Sequence, residues 1–130
     1  MDPFQTHGAF SWSELTTADP AAAADFYAKL LGWSFDAMEI TGSTYRVIKV
    51  GETAIGGIMS SPPGAPAMPP SWGSYVSVDD LDARVEAVPK LGGRVHLPPT
   101  PIPGVGRFAV IADPDGALLS LITYDPPTGE

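Results

Sequence analysis

WSELTTADPAAAADFYAKLLG (residues 12–32) is answered sixty places on by WGSYVSVDDLDARVEAVPKLG (residues 72–92). Both stretches open on tryptophan, Trp12 and Trp72, and close on Leu-Gly, Leu31-Gly32 and Leu91-Gly92. Between them Asp19 matches Asp79 and Ala23 matches Ala83. The correspondence runs on through Val50 and Val110, Gly56 and Gly116, Ser60 and Ser120. A chain written twice implies two similar modules, and two copies are too few for a solenoid. A paired architecture follows, with a pseudo-twofold axis between the modules and function expected in a cleft at that axis.

Each copy reads as strand, helix, then three strands. Phe10–Leu15 is a short strand. Asp19-Pro20 is a helix start, with Asp at the N-cap and Pro at the first helical position. Ala23, Phe26, Tyr27, Leu30 and Leu31 recur at spacings of three and four, one apolar helical face. Gly32 supplies the left-handed residue that ends it. Trp33–Ile40, Tyr45–Val50 and Thr53–Ser60 follow as strands, with turns at Gly42-Ser43 and Gly51-Glu52. In the second copy Ser74–Val78 is the strand. Asp79-Asp80 caps a helix whose Leu81, Val85, Val88 and Leu91 share a face. Arg94–Leu97, Arg107–Ala112 and Ala117–Tyr124 are the later strands. Asp113-Pro114-Asp115-Gly116 has the residue order of a type I turn. Pro89 conflicts with its helix, since a proline in a helix interior costs about 3 kcal/mol. It falls on the Asp82–Glu86 side, so a kink toward water or an early helix end is expected.

Composition narrows the function. The chain has 130 residues, enough for one domain, and no cysteine, so disulfides, thiolate metal sites and cysteine nucleophiles are excluded. Met1–Phe10 lacks the basic start and apolar run of a signal peptide, and no apolar run approaches a membrane span. A cytoplasmic protein with no membrane partner is expected. The net charge of −8 argues against nucleic acid, whose phosphates it would repel. The prolines and glycines gather at Pro62–Pro70 and Pro98–Gly106, which read as rigid loops. The Ser61–Ser71 linker is either a fixed crossover between modules or a disordered hinge.

The order of these segments resembles the glyoxalase, bleomycin-resistance and extradiol-dioxygenase superfamily, also called vicinal oxygen chelate. The residues that carry the resemblance are Trp12-Ser-Glu14-Leu15, Asp19-Pro20, Phe26-Tyr27, Leu30-Leu31-Gly32-Trp33, Gly56-Gly57, Val78-Asp79-Asp80-Leu81-Asp82, Leu91-Gly92-Gly93, Pro103-Gly104-Val105-Gly106-Arg107 and Asp113-Pro114-Asp115-Gly116. They span most of the chain, and the start and the Pro-Gly-x-Gly-Arg segment are similar to a glyoxalase-like branch. The resemblance implies an α+β fold of two βαβββ modules, residues 9–60 and 72–124, joined by linker 61–71 in one domain covering 1–130. It implies a curled mixed sheet around a cleft, a small organic ligand, and a homodimer, for which Tyr124 and the Pro62–Met68 loop are the candidate contacts.

It also implies a divalent cation held by His, Glu or Gln on the first and last strand of each module. The motifs place those positions at Trp12, Ser60, Gly73 and Ser120, none of which is a good ligand. His7 precedes the first strand and His96 lies on a strand with no ligand position. No metal residue and no cofactor is therefore assigned.

What remains is an apolar cleft with a carboxylate in it. Strand alternation puts Glu14 and Thr16 on the face of Trp12. On an aromatic wall Glu14 would have a raised pKa, suiting a general acid or base. The alternative is that it caps a turn or pairs with Arg46 or Arg107. Trp12, Tyr45, Trp72 and Tyr75 form either a box for a flat ligand or ordinary core. Trp33 and Phe35 belong to packing. Arg46 and Arg107 correspond across the repeat and would meet an anionic ligand group or form surface ion pairs. Ser120 is a ligand contact, with no sequence signal for a Ser-His-Asp triad or for a dinucleotide loop. The first functional expectation is metal-free binding of a small organic molecule. The alternatives are a glyoxalase-type lyase or isomerase with Glu14 as base, a metal-dependent member with unusual ligands, or a partner protein with a filled cleft.

Overall fold

The structure is a computed structural model that describes residues 1–40, 43–61, 69–102 and 104–125. The expected turn at Gly42-Ser43 and most of the 61–71 linker fall outside the described residues. Two βαβββ modules make up an α+β fold. The first has β1 (Phe10–Thr16), α1 (Pro20–Leu31), β2 (Ser34–Ile40), β3 (Ser43–Val50) and β4 (Thr53–Met59). The second has β5 (Ser71–Ser77), α2 (Leu81–Lys90), β6 (Arg94–Ile102), β7 (Gly106–Ala112) and β8 (Leu118–Tyr124). Contacts divide the chain into compact units of Trp12–Gly73 and of Met1–Ser11 with Ser74 onward. Among the described residues no helix is long and apolar enough to cross a membrane.

Both helices are set by their caps. The Asp19 carboxylate accepts from the Ala22 N–H at 3.1 Å, Pro20 takes the first helical position, and Gly32 closes α1 at φ 75°. Ala24 of α1 packs on Leu15, Ile48 and Ile58, with Ala23, Tyr27, Trp33 and Phe35 around them, whereas Phe26, Leu30 and Leu31 of the expected apolar face are more than half exposed. Burial of each large aliphatic side chain contributes about 1.5–3 kcal/mol. In the second module Asp80 is the N-cap, accepting from Ala83 N–H at 3.1 Å. Its core is Val78, Leu81, Ala109 and Leu121. Pro89 sits exposed in the last turn of α2, which has ten residues against twelve in α1. The proline lies one residue before the end of α2, which agrees with the expected early helix end.

Each sheet is mixed. In the first, β1 runs parallel to β4, and β4, β3 and β2 pair antiparallel. In the second, β5 runs parallel to β8, and β8, β7 and β6 pair antiparallel. Pro98–Gly106 is not the loop expected from its prolines, because β6 continues to Ile102 through Pro98, Pro99 and Pro101. β6 ends its sheet, paired to β7 only, and an edge strand tolerates proline because its outward N–H groups have no partner to lose. Two register shifts in β6, between Val95 and Leu97 and between Leu97 and Thr100, absorb extra residues.

Those two residues, with one more between Ile102 and Gly106 than between Ile40 and Ser43, move the later strands of the repeat out of step. The N-caps Asp19 and Asp80 are 61 apart, while the helix-ending glycines Gly32 and Gly92 are 60 apart. Beyond β6 the offset becomes 63: Ser34 faces Lys49 and Gly57 faces Val47, whereas Arg94 faces Ala112 and Ser120 faces Val110. The mate of Ser120 is therefore Gly57 and not Ser60. Arg107 and Arg46 are not mates either, for Arg46 corresponds to Ala109.

The N-terminal segment belongs to the second unit. Gly8 N–H donates to Ser77 O at 2.7 Å and Ser77 N–H to Ala9 O at 2.9 Å. His7 Nδ1 accepts from Asp79 N–H at 3.0 Å, which gives this histidine a structural partner. Tyr124 is half-buried, bonded to Ser11 Oγ at 2.8 Å with the Phe4 ring edge-on at 5.0 Å. Burial pushes its phenol pKa up, offset in part by the Ser11 hydrogen bond.

Candidate functional site

The sheet face of the first module turned away from α1 carries Trp12, Glu14, Tyr45 and Gly57. Leu15 and Ile48 point to the helix, so strand alternation sends their neighbours Glu14 and Val47, and with Val47 its face-mate Tyr45, the other way. Tyr45 lies across β4 to reach β1. It can do so because position 57 has no side chain: a Cβ on Gly57 would overlap the Tyr45 ring and hydroxyl. Its neighbour Gly56 serves the opposite face, where a Cβ would overlap the Ser13 carbonyl. The Gly56-Gly57 pair thus clears both faces of β4. Gly57 is the site residue that sequence reasoning missed, and its signal was an isolated glycine pair inside a strand.

The Tyr45 hydroxyl joins the other two. Trp12 Nε1–H donates to it at 2.9 Å, and it donates to Glu14 Oε2 at 2.8 Å. An indole is donor only, so it fixes the direction of the chain: the phenol hydrogen goes to Glu14, which must offer a lone pair there. Glu14 makes no ion pair with Arg46 or Arg107 among the described residues.

The other expected site residues divide. Trp72 packs with Tyr27 and Trp33, at ring-centroid distances of 5.5 and 6.1 Å, and donates to Tyr27 Oη at 3.2 Å. Arg46 shares the helix-facing side of β3 with Ile48, opposite Tyr45. In the second module Tyr75 is buried against Phe108 at 6.0 Å. Ser120 faces Tyr75 across the β5–β8 pair. Arg107 is engaged by Asp82 in a bidentate pair of 2.9 and 3.0 Å that ties β7 to α2, so it is an ion-pair residue. Those bonds hold the Asp82 carboxyl below the usual carboxylate range, aided by the guanidinium charge and opposed by slight desolvation.

With this fold and site, the chain belongs to the Glyoxalase/Bleomycin resistance protein/Dioxygenase superfamily, whose profile matches residues 9–121. CFP32 of Mycobacterium tuberculosis, a glyoxylase by name, is 42% identical over 120 residues, 92% of this chain and 45% of that protein. The anthracycline biosynthesis protein DnrV of Streptomyces peucetius is 32% identical over 127 residues, 88% of this chain and 46% of that protein. The chain therefore spans about half the length of these relatives. In structure it is similar to methylmalonyl-CoA epimerase from Mycobacterium tuberculosis, with TM-score 0.70, 19% identity, and coverage of 94% of this chain and 92% of that one.

The superfamily's divalent cation does not fit the residues present. The first-strand position holds Trp12, whose only polar atom is a donor already given to Tyr45. The last-strand positions, by register, hold Gly57 and Ser120. Among the described residues no three His, Asp or Glu side chains lie together as a ligand set.

Proposed function

We propose that this chain binds a small organic molecule on the Trp12–Glu14–Tyr45 face without a metal. The observation that carries the reading is the hydrogen-bonded chain from indole through phenol to carboxylate, standing where a metal ligand would be. It presents aromatic surface beside a fixed carboxylate, the mixture of apolar wall and few polar groups that small-molecule sites use. The relative named for anthracycline biosynthesis makes flat polycyclic compounds the first to screen. In this reading the chain binds such ligands in the cytoplasm as a homodimer, and its net charge of −8 disfavours nucleic acid. A thermal-shift screen with and without EDTA tests it. A ligand at a hundred times its Kd adds about 2.7 kcal/mol of stability, and that gain persists in chelator. A shift abolished by EDTA and restored by one cation would overturn the metal-free reading.

A second reading has one observation in its favour, the Glu14 carboxyl group held in place by the Tyr45 hydroxyl beside Trp12. A glyoxalase-type lyase or isomerase needs a base to take a proton from carbon beside a carbonyl. Glu14 would accept that proton, leaving the bond's electron pair as an enolate, and return it at product formation. Glu14→Gln cannot accept it, and unchanged turnover of an identified substrate in that variant removes Glu14 from the chemistry.

A further inference from the structure

A cavity lies on the other side of the same sheet. It measures about 550 Å³ and is widely open to solvent. Tyr27, Trp33 and Trp72 wall it, Ile48 and Ile55 add apolar surface, and Ser13 stands at its edge. Ser13 and Glu14 are consecutive on β1, so this cavity and the Glu14 face point opposite ways. It is independent of the function proposed above.

Its chemistry selects a ligand. Among the described residues no charged side chain lines it. The three rings stand 5.5, 5.5 and 6.1 Å apart, in direct contact, so no guest fits among them and they form one preassembled wall. Trp72 is 42% exposed although it is the kind of side chain a core would take, and Ile55 is 38% exposed. The volume falls in the range of small-molecule sites, roughly 300–1,000 Å³. One polar group gives direction. The Tyr27 hydroxyl accepts from Trp72 Nε1–H, which leaves its own hydrogen to donate. We propose that this cavity is a second binding site, for an uncharged flat ring system with a hydrogen-bond acceptor at its edge.

The probe pair is 9-fluorenone, which is neutral, flat and carries a carbonyl, and fluorene, which lacks it. Calorimetric titration of the full chain should show saturable binding of one fluorenone. Trp72→Ala should raise the Kd at least tenfold. Ile55→Trp, which fills the cavity from another strand and leaves the aromatic wall intact, should abolish binding. Tyr27→Phe should weaken fluorenone severalfold more than fluorene, because only fluorenone uses the hydroxyl hydrogen. Glu14→Gln should leave fluorenone affinity unchanged, and loss of binding there would place the probe on the opposite face and overturn the proposal. So would the absence of saturation below millimolar probe, or affinity equal to wild type in both Trp72→Ala and Ile55→Trp. Sedimentation that shows a second copy of the chain displacing fluorenone would overturn it in favour of a subunit contact.

Discussion

The two modules place the same register positions on the sheet face turned from the helix and fill them with opposite chemistry. Glu14 stands five residues before its helix N-cap Asp19, and Tyr75 stands five before Asp80. Each faces the last strand, at Gly57 and Ser120 respectively. Tyr45 and Phe108 are mates as well. So the first module has a carboxylate hydrogen-bonded to a phenol at 2.8 Å, where the second has two packed rings at 6.0 Å. Duplication supplied one scaffold twice. One copy kept a polar group that must be satisfied, and the other turned the same place into core. Packed rings explain themselves and a positioned carboxylate on an aromatic wall does not, which is the reason for placing the proposed function in the first module.

Exchanging residues between the modules gives the sharpest tests. The largest effect is expected from Gly57→Ser, which writes the second module's Ser120 into the first. Its Cβ would overlap Tyr45. Overpacking of this kind costs about 1–3 kcal/mol, and the upper end is expected because the Tyr45 ring itself must leave. Urea unfolding measures it. The reciprocal Ser120→Gly should cost less, and equal losses would mean that the Gly57–Tyr45 crossing has no special role.

Next is Tyr45→Phe, which gives the first module the phenylalanine of the second. It removes the acceptor of Trp12 and a donor to Glu14. A hydrogen bond to a charged group is worth about 1.5–3 kcal/mol, and partial exposure brings the expected loss to about 1–2 kcal/mol. A double-mutant cycle with Glu14→Gln should show coupling of about 0.5 kcal/mol or more. Strict additivity would show that phenol and carboxylate do not act together.

How much of this was legible in sequence depends on what the residues do locally. Asp19-Pro20 and Gly32 bounded α1 correctly because caps and left-handed glycines are local requirements. The repeat identified the fold because both copies obey them. The slip from 60 to 63 was not legible: two residues of it are the bulges in β6 and the third is the longer connection from Ile102 to Gly106 than from Ile40 to Ser43, and the prolines of β6 read as loop until the strand is seen to be an edge. Sequence therefore paired Ser60 with Ser120 and Arg46 with Arg107, three and two residues short of the true offset. Within the site, alternation placed Trp12 and Glu14 together. It gave no means to bring Tyr45 over β4, since that depends on Gly57 being empty.

A smaller effect of opposite sign belongs to the second module. The Ser77 hydroxyl is buried, 3% exposed for the residue, and its Oγ has no hydrogen-bond partner among the described residues. Its register mate in the first module, Thr16, is only half-buried. An unsatisfied buried hydroxyl costs about 1–3 kcal/mol, from which the loss of a small volume must be subtracted. Ser77→Ala should stabilise by about 0.5–1 kcal/mol, read as a higher thermal midpoint. Destabilisation would show that the hydroxyl has a bound partner, and Thr16→Ala should show no comparable gain.

The smallest effect is the Arg107–Asp82 pair, which only the second module has, because Ala109 rather than Arg107 is the mate of Arg46. Asp82 has its folded-state pKa lowered, so the unfolded chain binds its proton more readily. The stability this contributes is present above the ordinary carboxylate range and is lost as pH falls through the lowered value. Both side chains are about half exposed, at 47% and 64%, so solvent screens the pair and the loss is small. Carboxyl-carbon NMR should find Asp82 titrating below the other surface aspartates, and Arg107→Gln should bring it back among them. An Asp82 that titrates normally in the wild-type chain would reduce the bidentate geometry to a transient contact. Arg107 would then be available to a ligand, as the sequence alone had allowed.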